Sequence, residues 1–342
     1  MKNQICLVPK LIGLGGMVTF QAKFIQGLLD RGIPYSYDLQ HPDNSAVLVI
    51  GGTRQLWNLW RTKQKGVSII QRLNGMNWMH RVEKTPLKAY LRAELNNRLL
   101  AFIRKFLADT IVYQSFFSRE WWQDVYGLKN QKNLVIHNGV DLTLFRSVGP
   151  ERPPEAHDRI LLVEGHLSGA NARGLKTAVS LAQEVKSLRH RPVELMVVGE
   201  VSEAVMSQAI NMAPNVWITW RGVLPQVEIP AIDRSAHVLF SADLNAACPN
   251  SVIEAMACGL PVLAYDTGAL KELIQEGAGE VVDYGADHWK LEDPAIISLA
   301  RACARILEDN TEYRQHARLR AETAFGLDKM VDAYLDALGV RS

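Results

Sequence analysis

Short apolar runs alternate with longer amphipathic stretches along the whole chain. Residues 5–9, 35–39, 46–50, 67–71, 110–114 and 134–137 are such runs in the first half. They have the length and bounding turn residues of buried strands. Between them Phe20, Phe24, Leu28 and Leu29 recur at helical spacing and stop at Arg31-Gly32. Pro86 opens a helix expected to reach Leu107, and 116–126 reads as another. The second half repeats the alternation, with strands at 160–164, 195–199, 216–220, 238–241, 261–265 and 280–283. Helices are expected near 173–188, 201–212, 225–234, 250–258, 269–275 and 293–307, then at 309–324 and 327–338. Strands alternating with helices imply crossover units and parallel sheets, an α/β protein.

The 342 residues are enough for about two domains. A polar, proline-rich stretch at 149–158 reads as a linker between them. Domains are therefore expected at 1–148 and 149–325. The stretch 85–109 is amphipathic: Leu87, Leu91, Leu95, Leu99, Phe102, Ile103 and Phe106 form one face, with Lys88, Arg92, Arg98, Arg104 and Lys105 on the rest. Core packing would explain the apolar face, and a membrane-surface role, which would use the cations, is the alternative.

Charge changes this picture more than composition does. The net charge of +2 conceals 20 Lys/Arg against 9 Asp/Glu in residues 1–148, and 18 against 27 in 149–342. Either the halves attract each other, or the basic half meets something anionic. Nucleic acid is disfavoured, because no recognised motif accompanies the cations. No apolar run is long enough to span a bilayer, and the N-terminus does not read as a secretion signal. The four scattered cysteines lack metal spacing and read as reduced thiols, which points to a cytoplasmic protein.

The chemistry concentrates in one segment. Residues 250–272 begin Asn250-Ser-Val-Ile-Glu254, continue through Ala255, Ala257, Cys258 and Gly259, break at a proline, and run through a buried strand to a glycine turn. Glu254 is expected in the first turn of its helix. Upstream, Asn138-Gly-Val-Asp141 precedes the linker. Together these closely resemble the donor-site segment and hinge of GT4, or group 1, glycosyltransferases. That family's GT-B fold has two Rossmann-like domains facing a central cleft. Its last helix crosses back to the first domain, so the resemblance assigns 326–342 there, with Met330, Val331, Tyr334 and Leu335 as the buried face.

The resemblance implies a hexosyltransferase that retains anomeric configuration, requires no metal or other cofactor, and takes a nucleotide sugar as substrate. Glu254 would then hold the ribose, since a carboxylate accepts hydrogen bonds from both vicinal hydroxyls. Asn250 and Ser251 would lie beside it. Main chain at Val223 and Leu224 would meet the base, with Gly199 alongside. Gly15 and Gly16, at the first strand-to-helix turn, would let backbone approach the diphosphate. In the loop 164–176 the family has two cations that clamp the diphosphate. Here Arg173 fills one place and His166 the other, with Lys176 more simply surface. Asn74, Asn77 and His80, in the loop after a buried strand, are candidates for contacts with acceptor or sugar, His80 as a base. Gln114 and Ser115 are weaker candidates.

Two departures count against a direct transfer of function. The family has a second acid eight residues before Glu254, where this chain has Ala246, and His166 replaces an arginine. Asp243, Asn245 or main-chain amides would have to serve the sugar instead. A non-catalytic nucleotide-sugar-binding protein is therefore the main rival, and an epimerase of the same fold a lesser one. The acceptor is unspecified. The charge split suggests an anionic or lipid-linked molecule, and peripheral contact with the inner membrane surface.

Overall fold

The computed structural model describes residues 4–13, 15–128, 130–167 and 172–340. It forms two compact units: residues 1–139 with 327–342, and residues 140–326. The chain passes between them within Asn138-Gly-Val-Asp141, nine residues before the expected 148/149 boundary. The reason is packing. Phe145 is fully buried, Glu151 pairs with Arg234 at 2.7 Å, and the Val140 amide donates to Phe325 O, so the proline-rich stretch lies on the second unit.

In the first unit the order is β1 (Gln4–Val8), α1 (Gly16–Asp30), β2 (Tyr35–Ser36), β3 (Asn44–Ile50), α2 (Leu56–Gln64) and β4 (Ser68–Leu73). Then follow α3 (Leu87–Phe102), β5 (Thr110–Tyr113), α4 (Phe116–Tyr126) and β6 (Lys132–Val135). The strands make one parallel sheet in the order β2-β1-β3-β4-β5-β6. A final helix, α12 (Leu327–Leu338), packs on α1. The two share a core with Leu7, Leu48 and Ile70 on one sheet face. Tyr334 lies between Phe20 and Phe24, at ring distances of 5.1 and 5.6 Å. Gly27 permits this approach, since a Cβ there would collide with Val331.

The opposite face packs against α2 and the far end of α3, through Leu59, Ile103 and Leu107. Helix α2 was not legible from the sequence, because only Leu59 and Thr62 of its nine residues are buried. The expected helix over 86–107 ends in a π-helical turn, Ile103–Leu107. Core packing of its apolar face holds only for Leu99 and Ile103; Leu87, Leu91, Leu95, Phe102 and Phe106 are all exposed.

The second unit contains β7 (Asp158–His166), α5 (Ala172–Arg189), β8 (Val193–Glu200), α6 (Glu203–Met212), β9 (Trp217–Gly222), α7 (Ile229–Arg234) and β10 (Val238–Ser241). It continues through α8 (Asn250–Ala257), β11 (Val262–Tyr265), α9 (Leu270–Leu273), β12 (Gly279–Val282), α10 (Ile296–Glu308) and α11 (Asn310–Ala324). Its parallel sheet runs β12-β11-β10-β7-β8-β9. Helices α5 and α10 pack on that sheet around Leu162, Leu181, Leu195, Phe240 and Ile306.

Candidate functional site

Each sheet reverses its strand order at one point, and there the crossover helices diverge. In the second unit β7 connects through α5 to β8 on one side, while β10 flanks it on the other. A switch of this kind opens a crevice beyond the carboxyl ends of the strands, the usual ligand position in α/β sheets. Helices α5 and α8 start there, so their unpaired amides and positive dipole ends are available to an anion.

Glu254 is the fifth residue of α8, one turn inside the helix rather than in its first turn. Service to the helix dipole therefore does not explain it. It is only 9% exposed, and its Oε1 accepts from Gln226 Nε2 at 3.3 Å. Gln226 follows Val223 and Leu224 in the turn after β9, so this bond ties the candidate base contacts to the candidate ribose contact. Burial, reinforced by the Glu254 charge, drives the neighbouring Asp233 carboxyl well above its usual range. Asn250 and Ser251 are the first two residues of α8, half-buried. Nothing in the local sequence pattern marks Gln226 for this contact.

His166 ends β7, where its Nδ1 lies 3.1 Å from Glu200 Oε2, with both side chains largely exposed. Arg173 is the second residue of α5, 3.7 Å from the exposed Asp293. Its Nε is buried without a hydrogen-bond partner among the described residues. Part of the loop joining these two cations, 168–171, lies outside the described residues. Lys176 is exposed on α5. Gly199 has a direct steric reason: with φ 141°, a Cβ there would collide with the Glu164 carbonyl.

Around the missing acid, Ala246 is locked by backbone. Its carbonyl accepts from the Ala269 amide at 2.9 Å, and Gly268 abuts it with φ 62°. Next to it Asn245 takes φ 57° and is 3% exposed, yet neither atom of its amide has a hydrogen-bond partner among the described residues. The same holds for Thr267 Oγ1, on a side chain 2% exposed. Orphaned buried polar groups are uncommon and cost free energy unless something pairs with them. The β7–β10 register pairs Val238 with Ile160 and Leu239 with Leu161, so 242–243 and 164–165 lie at the same end of these neighbouring strands. Burial, and secondarily the Asp243 charge, pushes the Glu164 carboxyl well above its ordinary range.

In the first unit the switch lies between β1 and β3. A pocket of about 320 Å³ opens there, lined by Pro9, Leu11, Met17, Gly51, Gly52, Asn74 and Asn77, among others. Gly15 precedes α1 with φ 119°, and a Cβ on it would meet nothing within 4 Å. Gly16 is the first helical residue. Asn74 Oδ1 accepts from Arg72 and Gln114, each at 2.7 Å, and Trp122 Nε1 donates to Asn74 O. Asn77 is held by Asn97 through its amide at 3.0 Å. The pocket thus gathers Asn74 and Asn77 but not His80, whose Nε2 lies 2.8 Å from Glu94 Oε1. Bonds from Arg81 and then His80 hold the Glu94 carboxyl down at about 2. Ser115 is the N-cap of α4, in a reciprocal pair with Ser118. Gly51 and Gly52, which follow β3, were not singled out by the sequence.

Residues 158–309 match the family model described as glycosyl transferases group 1. Over this stretch, most of the second unit, the chain is similar to the group 1 glycosyltransferases. Among curated relatives, the D-inositol 3-phosphate glycosyltransferase of Geodermatophilus obscurus is 28% identical over 244 residues, 67% of this chain and 52% of that protein. The Streptosporangium roseum protein of the same description is 27% identical over 245 residues, covering 67% and 55%. The chain spans about half the length of these relatives. Solved structures match over nearly the whole chain and establish the GT-B fold. Anabaena HepE, in complex with UDP and glucose, aligns at TM-score 0.69 and 15% identity, covering 98% of this chain and 99% of that one. A Rickettsia africae glycosyltransferase aligns at 0.67 and 16%, covering 98% and 97%. WaaG, a glycosyltransferase involved in lipopolysaccharide biosynthesis, aligns at 0.66 and 15%, covering 98% and 99%.

Proposed function

We propose that this chain is a hexosyltransferase that moves a sugar from a nucleoside-diphosphate sugar to an acceptor with retention. The observation that carries this reading is the second unit's switch point. There the buried Glu254, the orphaned Asn245 and Thr267 side chains and the half-satisfied Arg173 lie at or near the carboxyl ends of the strands. Glu254 takes the ribose. The α5 and α8 amides, Arg173 and His166 take the diphosphate and stabilise charge on the leaving oxygen without a metal. Asn245 and Thr267 meet sugar hydroxyls in place of the absent carboxylate at 246. The leaving oxygen accepts the acceptor's proton on the face of attack, so the protein positions and stabilises more than it exchanges protons. The UDP complexes of HepE support a uridine donor.

Ala246 favours one alternative, a binder without turnover. Thermal shift with UDP-, GDP- and ADP-sugars, followed by an assay for released nucleotide, separates the two. Ligand binding to the native state raises its melting temperature. Stabilisation with nucleotide release supports the transferase, and stabilisation without release across a broad acceptor panel supports the binder. No stabilisation by any nucleotide sugar overturns both.

A further inference from the structure

Helix α3 is apolar on two sides. Its inner side reaches the core through Leu99 and Leu100, and the π turn that follows buries Ile103 and Leu107. Its outer side carries Leu87, Leu91, Leu95 and Phe102, continued by Phe106, at 73, 51, 63, 42 and 54% exposure. Their spacing puts them on one stripe of the helix. A helix on a water-facing surface ordinarily keeps one face polar. Here the polar residues interleaved with the stripe are cations: Lys84, Lys88, Arg92, Arg98 and Lys105 are all exposed. The acids of residues 81–108 are Glu83 and Glu94, and Glu94 is bound to Arg81 and His80. Between Arg98, Lys105, Phe102, Phe106 and Tyr126 lies a pocket of about 320 Å³ that combines aromatic walls with positive charge.

Helix α2 adds to this surface. It packs against the π turn on the same sheet face. It contains no acid, and it exposes Trp57 and Trp60 at 66 and 41%, stacked 4.8 Å apart. Tryptophan at the edge of a basic apolar surface suits the boundary between water and acyl chains.

We infer that this face of the first unit docks on an anionic lipid bilayer. Leucine and phenylalanine side chains enter the acyl boundary, the cations contact headgroup phosphates, and the Arg98–Lys105 pocket receives one anionic headgroup. Charge selects this occupant: an apolar protein groove would cover the stripe but leave the interleaved cations without counter-charge. The inference is independent of which donor the second unit binds.

The test is co-sedimentation of the full chain with vesicles of phosphatidylcholine alone or with phosphatidylglycerol added. Binding is expected only to the anionic vesicles, weakening steeply from 0.1 to 0.5 M salt as the charges are screened. Leu91→Ser with Leu95→Ser, and separately Arg98→Ser with Lys105→Ser, should each weaken binding by about tenfold or more. Melting temperature and nucleotide binding should stay unchanged, because these side chains are exposed. Absence of binding to anionic vesicles overturns the inference, as does equal binding by folded variants. Sedimentation velocity supplies the remaining arm: a dimer in solution that Leu91→Ser dissociates would mean that a second copy covers the stripe.

Discussion

At the residue scale, Glu254 stood out in the sequence through the resemblance of residues 250–272 to the group 1 donor segment. Its environment did not. Gln226 reaches it from a separate turn, and Asp233 lies close enough to feel its charge, through folding that no local pattern encodes. Glu254→Gln should weaken nucleotide-sugar binding by about 1–3 kcal/mol, the cost of losing charge-assisted hydrogen bonds. Calorimetry on a folded variant checks this, and unchanged affinity would remove Glu254 from the ribose site. A second residue makes a pH prediction. The His237 Nδ1 accepts the Arg159 amide at 2.9 Å, which requires an unprotonated nitrogen. Burial lowers its pKa to about 4, against the opposing charge of Asp158. The unfolded chain takes up this proton at higher pH than the folded one. The neutral imidazole therefore favours the folded state above about pH 6.5, and that contribution fades as pH falls toward 4. It amounts to no more than about 3 kcal/mol. Melting temperatures between pH 7 and 4.5 should fall less steeply in His237→Asn than in the parent chain; parallel slopes would show that this ring does not drive the acid limb.

At the element scale, strands and helices with one buried face were readable from periodicity, to within a few residues at their ends. Helices α4 and α12 and strand β10 fall where the pattern put them. The pattern failed where polarity and burial part company. Helix α2 shows two exposed tryptophans that break its apolar period, and α3 shows an apolar stripe facing solvent. Periodicity reports that a stripe exists, not what it faces. For α12 the facing partner is α1, so its apolar side carries stability. Leu335→Ala removes a side chain 2% exposed within that contact and should cost about 2–5 kcal/mol. Urea denaturation followed by circular dichroism measures it. Nucleotide binding to the second unit should survive at urea concentrations that keep the variant folded. A loss under 1 kcal/mol would mean that α12 is loosely seated.

At the scale of the whole molecule, the charge split and the alternating pattern announced two units, and the hinge motif lies where the chain crosses between them. The first unit is discontinuous, its core closed by residues 327–342 from the far end of the chain, as the family resemblance implied for 326–342 and periodicity alone did not. This makes an asymmetric prediction about fragments. Residues 140–326 are continuous, hold their own core around α5 and α10, and contain Glu254, Asn245, Thr267 and Arg173. That fragment should fold alone and, on the proposed function, bind the nucleotide within a few-fold of the full chain. Residues 1–139 alone would expose Phe20, Phe24 and Leu28, which otherwise pack with Tyr334 and Val331 in one core. Losing those contacts removes several buried side chains worth roughly 2 kcal/mol each, comparable with the whole stability of an ordinary domain. The first fragment should therefore give a dispersed amide spectrum and a cooperative melt, and the second neither, until residues 327–342 are supplied as a fused segment. Cooperative folding of 1–139 without them would show that α12 covers the unit rather than completes it. A folded 140–326 that binds no nucleotide would place essential donor contacts in the first unit.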